Sequence, residues 1–241
     1  MENENIGVKD ITFSKGCDEW LIFKENTVKE SSYLNYKFKI DKHLKPDLGN
    51  KSLYEISKYD MNEYINSKKK LAENTAFKDM VVILKSILRY LKKKYKIDFD
   101  LDFNSGSRNY VNDLEIFNEY ERQKLVKYLL ATNTVREIGI LFGLYSGLRI
   151  GEVCGLKWED IDFDNKLINI RRTVQRVYMG SKPSKVIISS PKTRKSIRKI
   201  PIARILFDKL KEFSKNYAKE DFVITRNVKK MYGTTCLQIY V

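Results

Sequence analysis

Between Asn74 and Tyr95, the apolar side chains Phe77, Met80, Leu84, Ile87, Leu91 and Tyr95 recur at three- and four-residue intervals, while Lys78, Lys85, Lys92 and Lys96 fall elsewhere on the same turns. Such an apolar stripe marks one face of a long amphipathic helix, and with the segments before it the first hundred residues read as helices. Its lysine face, taken alone, reads as a solvated surface. Tyr33, Tyr36, Ile40 and Leu44 predict a second helix, with Ser31 or Ser32 as its cap and Lys45-Pro46 with Gly49 as its end. Met61, Tyr64 and Ile65 behind Ser57 predict a third.

The pattern changes at Asn104-Ser-Gly-Ser-Arg-Asn109, a polar, turn-rich stretch suited to a linker. The expected organisation is a helical unit over 13–103, a linker over 104–115 and a second unit over 116–241. Asn118-Glu-Tyr-Glu121 has the form of a capping box opening a helix through Leu129, and Gly147 closes another that runs from Thr134 to Ser146. Short β-prone segments follow at Leu167–Ile170, Lys185–Ser189 and Ile197–Ile202, with a turn at Asp162–Lys166. The fold class expected is mainly α with one small antiparallel β-sheet, the second unit being α+β.

Charge narrows the partners. The chain of 241 residues carries 46 Lys and Arg against 31 Asp and Glu, a net charge of +15. Residues 104–241 hold 26 basic and 14 acidic side chains, and from Asn165 to Phe207 there are 12 basic residues with no Asp or Glu. A run of that length favours a surface that tracks phosphates, with Arg171, Arg172, Arg176, Lys182 and Lys185 adding affinity without reading bases. The three cysteines, Cys17, Cys154 and Cys236, are far apart and form no C-x-x-C pair, which points away from disulfides and zinc and toward a reducing cytoplasm. No metal ligands or phosphate-binding glycine loop are recognisable, so no cofactor is expected. No segment has the length of a membrane span or the form of a leader, and no membrane partner is expected.

The string from Leu141 to Asp160, with Ser146-Gly147-Leu148 before Arg149 and Gly155-Leu156-Lys157-Trp158 after Glu152, resembles the first catalytic box of the tyrosine recombinases, the phage and transposon integrases. An isolated R-x-x-E would be read as a surface ion pair contributing roughly 0.2–0.5 kcal/mol; the surrounding string argues for more. The resemblance implies that Arg149 is the first of the family's two phosphate-clamping arginines, with Glu152 orienting it, and that Trp158 fills core space. Pro191-Lys192-Thr-Arg-Lys-Ser-Ile-Arg-Lys-Ile-Pro201 resembles the family's β-hairpin segment, whose lysine protonates the departing 5′ oxygen. Lys192 is the first candidate and Lys195 the second, with Arg194, Lys195 and Arg198 as further DNA contacts.

Weaker similarities at Phe13–Leu21, Val28–Tyr33, His43–Pro46 and Leu53–Ile56 resemble the SAM-like core-binding domain of integrases, and imply that Lys78, Lys85, Arg89 and Lys92 face DNA. His43, the only histidine, lies in that region, which excludes it as the family's catalytic histidine and leaves a structural role. The implied architecture is two domains closing around duplex DNA, with copies associating on paired sites or with full-length integrase. The H-x-x-R box and nucleophilic tyrosine do not occur before Val241, and Tyr240 is not a candidate nucleophile, so the expectation is a site-specific recombinase of a mobile element cut before its second box, binding DNA without cleaving it; the alternative is a non-catalytic DNA-binding remnant or a competitor for integrase sites. Such a cut is expected to leave Leu141, Leu144 and Leu148 partly uncovered and residues 234–241 fraying.

Overall fold

The computed structural model describes residues 11–68, 75–102, 115–132, 134–179, 182–191 and 194–224. The polar stretch at 104–109, Lys192, and the terminal segment 234–241 with Cys236 and Tyr240 lie outside the described residues. The chain divides into two compact units, Met1–Asn112 with Tyr178–Pro183, and Asp113–Val177 with Ser184–Val241.

In the first unit, α1 (Phe13–Glu25) is capped by the Thr12 hydroxyl, which accepts from the Lys15 amide at 3.3 Å. It is followed by α2 (Glu30–Lys39), α3 (Lys45–Leu48), α4 (Lys58–Ser67) and α5 (Thr75–Tyr95). The predicted stripe of α5 is the spine of this core: Leu84, Ile87 and Leu91 are fully buried, as are Val81 and Leu88 beside them. Each such side chain contributes about 1.5–3 kcal/mol by leaving water. Gly16 lets α1 approach closely, since a Cβ there would lie 2.9 Å from the Leu91 Cδ1.

Two boundaries differ from expectation. Helix α2 starts at Glu30 behind Lys29, which offers no side-chain cap, so Ser31 and Ser32 lie inside the first turn. Pro46 does not end the helical path, which stops at Gly49, as expected, the C-cap of α3. A π-turn over Ile40–Leu44, in which the Lys45 amide reaches back to the Ile40 carbonyl, widens the backbone and relieves the clash a proline ring meets in a regular helix. Helix α4 starts as predicted, through a reciprocal Ser57–Asp60 capping box. The Tyr64 hydroxyl donates to the His43 carbonyl at 2.9 Å, which ties α4 to the π-turn.

In the second unit, α6 (Glu119–Ala131) opens on the Asn118–Glu121 box, with both reciprocal bonds at 2.9 Å. Helix α7 (Val135–Ser146) ends at Gly147, whose φ of +59° is the left-handed conformation that glycine adopts without strain. The short α8 (Ile150–Gly155) comes next, then a 3-10 turn at Trp158–Asp160. Strands β1 (Ile161–Asp162), β2 (Leu167–Ile170) and β5 (Arg198–Pro201) form one antiparallel sheet in the order β1-β2-β5, with Ile168 opposite Ile200 and Ile170 opposite Arg198. Strands β3 (Thr173–Met179) and β4 (Lys182–Ser189) form a second, two-stranded sheet, where the sequence reading expected one sheet in all. Strand β5 joins β2 because the buried Ile168 and Ile170 need cover that Ile200 helps to supply. Strands β4 and β5 therefore belong to different sheets and do not pair with each other as a hairpin.

Helix α9 (Arg204–Ser214) closes the core by laying Leu206 and Leu210 in the same cluster as Ile138, Leu141 and Phe142 of α7. Of the three leucines expected to be uncovered, only Leu144 is exposed; Leu141 and Leu148 are buried. Trp158 packs as expected, stacked nearly parallel to Tyr217 at 5.8 Å.

A charged node fastens the 3-10 turn to the chain entering β3. The Asp160 carboxylate, 1% exposed, accepts from the Lys157 amide at 3.0 Å and from the Arg172 Nη1 at 2.8 Å, while Arg172 Nη2 reaches Glu159 at 2.9 Å. Burial pushes the Asp160 carboxyl upward, and the Lys157 amide and the Arg172 charge only partly offset it.

Four outcomes test this description. Gly151→Ala is expected to cost about 1–3 kcal/mol, because its Cβ would meet the Val174 carbonyl at 2.7 Å and Thr173 Oγ1 at 2.6 Å. Gly143→Ala, with open space around it inside α7, is expected to stabilise by about 0.5–1 kcal/mol; thermal melts of both variants decide this. Arg172→Ala is expected to cost about 3 kcal/mol in denaturant titration by stranding Asp160, at the low end for a buried pair because Arg172 keeps some solvent. Lys51 and the Ser57 amide and hydroxyl hold Asp60 at about 2. A depressed carboxyl stabilises fully above its unfolded value of about 4 and loses that contribution as pH falls through its folded value. Stability should thus decline from about pH 4 to pH 2, and Asp60→Asn should flatten that decline in an acid titration followed by circular dichroism.

Candidate functional site

The site begins where α7 stops. Gly147 turns the backbone, buried Leu148 anchors it, and Arg149 takes the extended N-cap conformation of α8 with φ −68° and ψ 147°. Arg149 therefore stands at the mouth of the helix and does not share a helical face with Glu152. Glu152, third in α8, folds back so that its Oε2 accepts the Arg149 amide at 3.0 Å, while Oε1 lies 3.3 Å from the Arg149 Nη1. The root of Arg149 is fixed, and its side chain is 75% exposed.

A six-residue helix has no stability of its own, so packing must hold α8 in place. Gly151 and Gly155 supply that by admitting the neighbouring chain: Cβ atoms there would come within 2.6 Å of Thr173 Oγ1 and 3.1 Å of the Arg172 carbonyl oxygen. The chain entering β3 thus lies directly across α8, which explains why glycines stand at these two positions of the sequence box.

Glu152 is buried, and Arg198 comes to it from β5. Its Nη1 and Nη2 donate to Oε1 and Oε2, both at 3.0 Å, in the two-pronged arrangement that suits a guanidinium and a carboxylate. Burial alone would raise the Glu152 carboxyl; the Arg198 fork and the Arg149 amide outweigh it and hold the group below the usual carboxylate range. Gly147, Arg149, Lys195, Ser196 and Arg198 together line a polar depression of about 510 Å³. Two guanidiniums and an ammonium around one carboxylate leave a net positive basin open to solvent. Such a basin can receive an anion, and a guanidinium can hold two oxygens of a phosphate at once.

The predicted site residues are distributed unevenly. Arg149, Glu152, Lys195 and Arg198 come together; Lys192 and the side chains of Lys182 and Arg194 lie outside the described residues. Arg172 is drawn inward to Asp160 and Glu159, so its donors are committed to carboxylates and not presented to a partner. Arg171 beside it is 57% exposed, with its Nε 3.8 Å from Asp160. Arg176 bonds the Ser184 hydroxyl at 2.8 Å across the β3–β4 sheet, and Lys185 is exposed on β4. In the first unit, Lys78, Lys85, Arg89 and Lys92 occupy one face of α5, within about 60° of arc at 100° per residue. Lys78 and Lys85 are half-buried, Arg89 is exposed, and Lys92 pairs with Asp98.

Sequence reasoning missed the hold of Arg198 on Glu152. The signal was the alternation in β5: Arg198 and Ile200 point inward while Lys199 and Pro201 point out, so Arg198 shares the face of a core residue. Among the described residues no helix is long and apolar enough to cross a membrane, and no group of three or more His, Cys, Asp or Glu is placed to hold a metal ion.

Comparisons with known proteins agree with this layout. Residues 12–69 match the family model of the phage integrase N-terminal SAM-like domain, and residues 115–239 match that of the phage integrase family. A XerC-like tyrosine recombinase of Caldanaerobacter subterraneus subsp. tengcongensis is 35% identical over 132 residues, which cover 51% of this chain and 33% of that protein. The integrase of Staphylococcus phage L54a is 24% identical over 253 residues, covering 90% of this chain and 70% of that one. The matched region thus spans only a third of the XerC-like relative and under three quarters of the phage one. Among solved structures, the Tn1549 transposon integrase in complex with a circular intermediate DNA superposes with a TM-score of 0.70 at 20% identity, over 92% of this chain and 71% of that one. A lambda integrase dimer bound to a COC′ core site gives 0.61 at 14% identity, over 95% and 61%. At these identities the structures show a shared fold. The matching of both domain models in order, with Arg149 and Glu152 at the mouth of α8, establishes that the chain belongs to the phage integrase family of tyrosine recombinases.

Proposed function

We propose that the chain binds duplex DNA as the SAM-like and catalytic-domain portion of a site-specific recombinase of a mobile element, and that Arg149 is its phosphate ligand at the scissile position. The observation that carries this reading is an arginine fixed at its root by a buried carboxylate and exposed at its tip, in a basin shared with Lys195. Strand exchange passes through a five-coordinate phosphorus whose equatorial oxygens gain charge, and preorganised guanidinium donors are worth most there. Lys192, or Lys195 from within the basin, would deliver a proton to the departing oxygen. The units would correspond to a core-binding domain over 13–103, a linker over 104–115 and the start of the catalytic domain over 116–241.

Affinity would come mainly from phosphate neutralisation by the second unit's excess of basic residues, with Arg171, Arg176, Lys182, Lys185 and Arg194 as contacts there and the basic face of α5 as a second grip. Copies of the chain would meet on paired sites, as the lambda integrase dimer does on its core site. Residues 1–241 hold Arg149 and Lys192 but no H-x-x-R box, and no tyrosine follows such a box as a nucleophile. That favours binding without strand cleavage for this polypeptide by itself.

Fluorescence anisotropy with labelled duplex should show log affinity falling linearly with log salt, at about −0.9 per phosphate neutralised. Arg171→Ala should weaken binding to all sequences alike and reduce the slope by about one; a flat salt response would refute the DNA reading. A nicked suicide duplex should give no adduct that survives denaturation. An adduct mapping to any tyrosine of residues 1–241 would show that this polypeptide carries its own nucleophile.

A further inference from the structure

We propose that Arg198 is a positioning residue for Arg149: by forking onto the buried Glu152 carboxylate, it holds that carboxylate in the one orientation that caps the Arg149 amide and steadies its guanidinium. The inference concerns the free protein, and it rests on the DNA reading only for its consequence, the placement of a phosphate ligand.

The two arginines are unequal partners of one carboxylate. Arg198 makes two bonds of 3.0 Å to the two oxygens and a third, at 3.1 Å, to the Ser196 carbonyl; it is 29% exposed. Arg149 makes one longer contact of 3.3 Å and is 75% exposed. A carboxylate that is 4% exposed must stay paired, and the partner with both prongs sets its plane. Arg198 is itself set by the sheet, through its backbone pairing with Ile170, so its position owes nothing to the site. The chain of constraint runs from the β2–β5 register to Arg198, to Glu152, and then to the amide and guanidinium of Arg149. Arg198 therefore spends its forked donors on protein, and Arg149, with only Nη1 near Glu152, keeps most of its own for a ligand. Sequence reading alone had placed both on DNA.

Without Arg198, Glu152 would keep the Arg149 amide at 3.0 Å and one long ion pair at 3.3 Å, with nothing to fix its plane, and the carboxylate would swing toward the Arg149 guanidinium or water and release that amide. Amide hydrogen exchange on the chain of residues 1–241 reads this directly. In Arg198→Ala the Arg149 amide should exchange at least about tenfold faster, while the Val153 amide, which bonds the Arg149 carbonyl at 3.0 Å inside α8, keeps its protection. Unchanged exchange at Arg149 overturns the proposal. Should Arg198→Ala unfold the unit, Arg198→Lys keeps the charge and loses the fork. Faster exchange at Arg149 alone supports the proposal, and wild-type exchange there overturns it. Glu152→Gln combined with Arg198→Ala should be no worse at Arg149 than the stronger single variant, because the two act as one unit; additive effects overturn it.

Anisotropy with duplex DNA separates this inference from the functional reading. Arg198→Ala should lower affinity while leaving the salt slope at its wild-type value, because Arg198 is not a phosphate ligand; a slope reduced by about one makes it a direct contact and overturns the proposal. A flat salt response in the wild type would refute the DNA reading while leaving the exchange result standing.

Discussion

A buried carboxylate organises the second unit. Glu152 is almost wholly removed from water, and a charge so placed survives only where donors surround it. The three donor groups are the Arg149 amide, the Arg149 guanidinium and the Arg198 fork, which come from the mouth of α8 and from β5. Meeting the electrostatic demand of one side chain therefore joins a helix terminus to a sheet. It also decides which arginine faces solvent: the one that satisfies the carboxylate with both prongs is retained by the protein, and the other is presented outward.

The backbone around that carboxylate is built for close approach. Gly147 ends α7 in the left-handed region, Arg149 takes an extended conformation, and α8 starts within two residues of the break. So short a helix is held by its surroundings: the chain entering β3 laid over Gly151 and Gly155, Val153 in the core and the Glu152–Arg198 pair. The result is a side chain with an immobile root and a free tip. An anion ligand benefits from that, since an ordered donor loses less entropy on binding than a floppy one.

A second carboxylate, Asp160, repeats the arrangement a few residues on with a different outcome. There Arg172 is consumed by two carboxylates, while its neighbour Arg171 stays largely in solvent. The basic run from 165 to 207 is thus not a uniform surface. Part of its charge neutralises acids that lie outside the run, the buried Glu152 and Asp160 and the exposed Glu159, and part remains for a polyanion. A net charge counted along the sequence overstates what a phosphate backbone meets.

The sequence by itself determined the elements. The stripe of α5, the Ser57 and Asn118 caps, the Gly147 stop and the strand at Leu167–Ile170 were legible because each depends on residues within a few positions of one another. The candidate arginine and its carboxylate were legible for the same reason, being three residues apart and inside a box of familiar form. The π-turn that carries the chain past Pro46 was not legible, because a proline in the middle of a helical path is ordinarily a stop, and only the packing of Ile40 and Leu44 in the first core makes the wider turn worthwhile. The second sheet, the pairing of β5 with β2, and the capture of Arg198 by Glu152 and of Arg172 by Asp160 were decided by tertiary structure. Each joins residues that are distant in the chain. Whether a guanidinium binds a buried acid or a solvent anion depends on which carboxylate the fold has desolvated, a quantity that no local pattern contains.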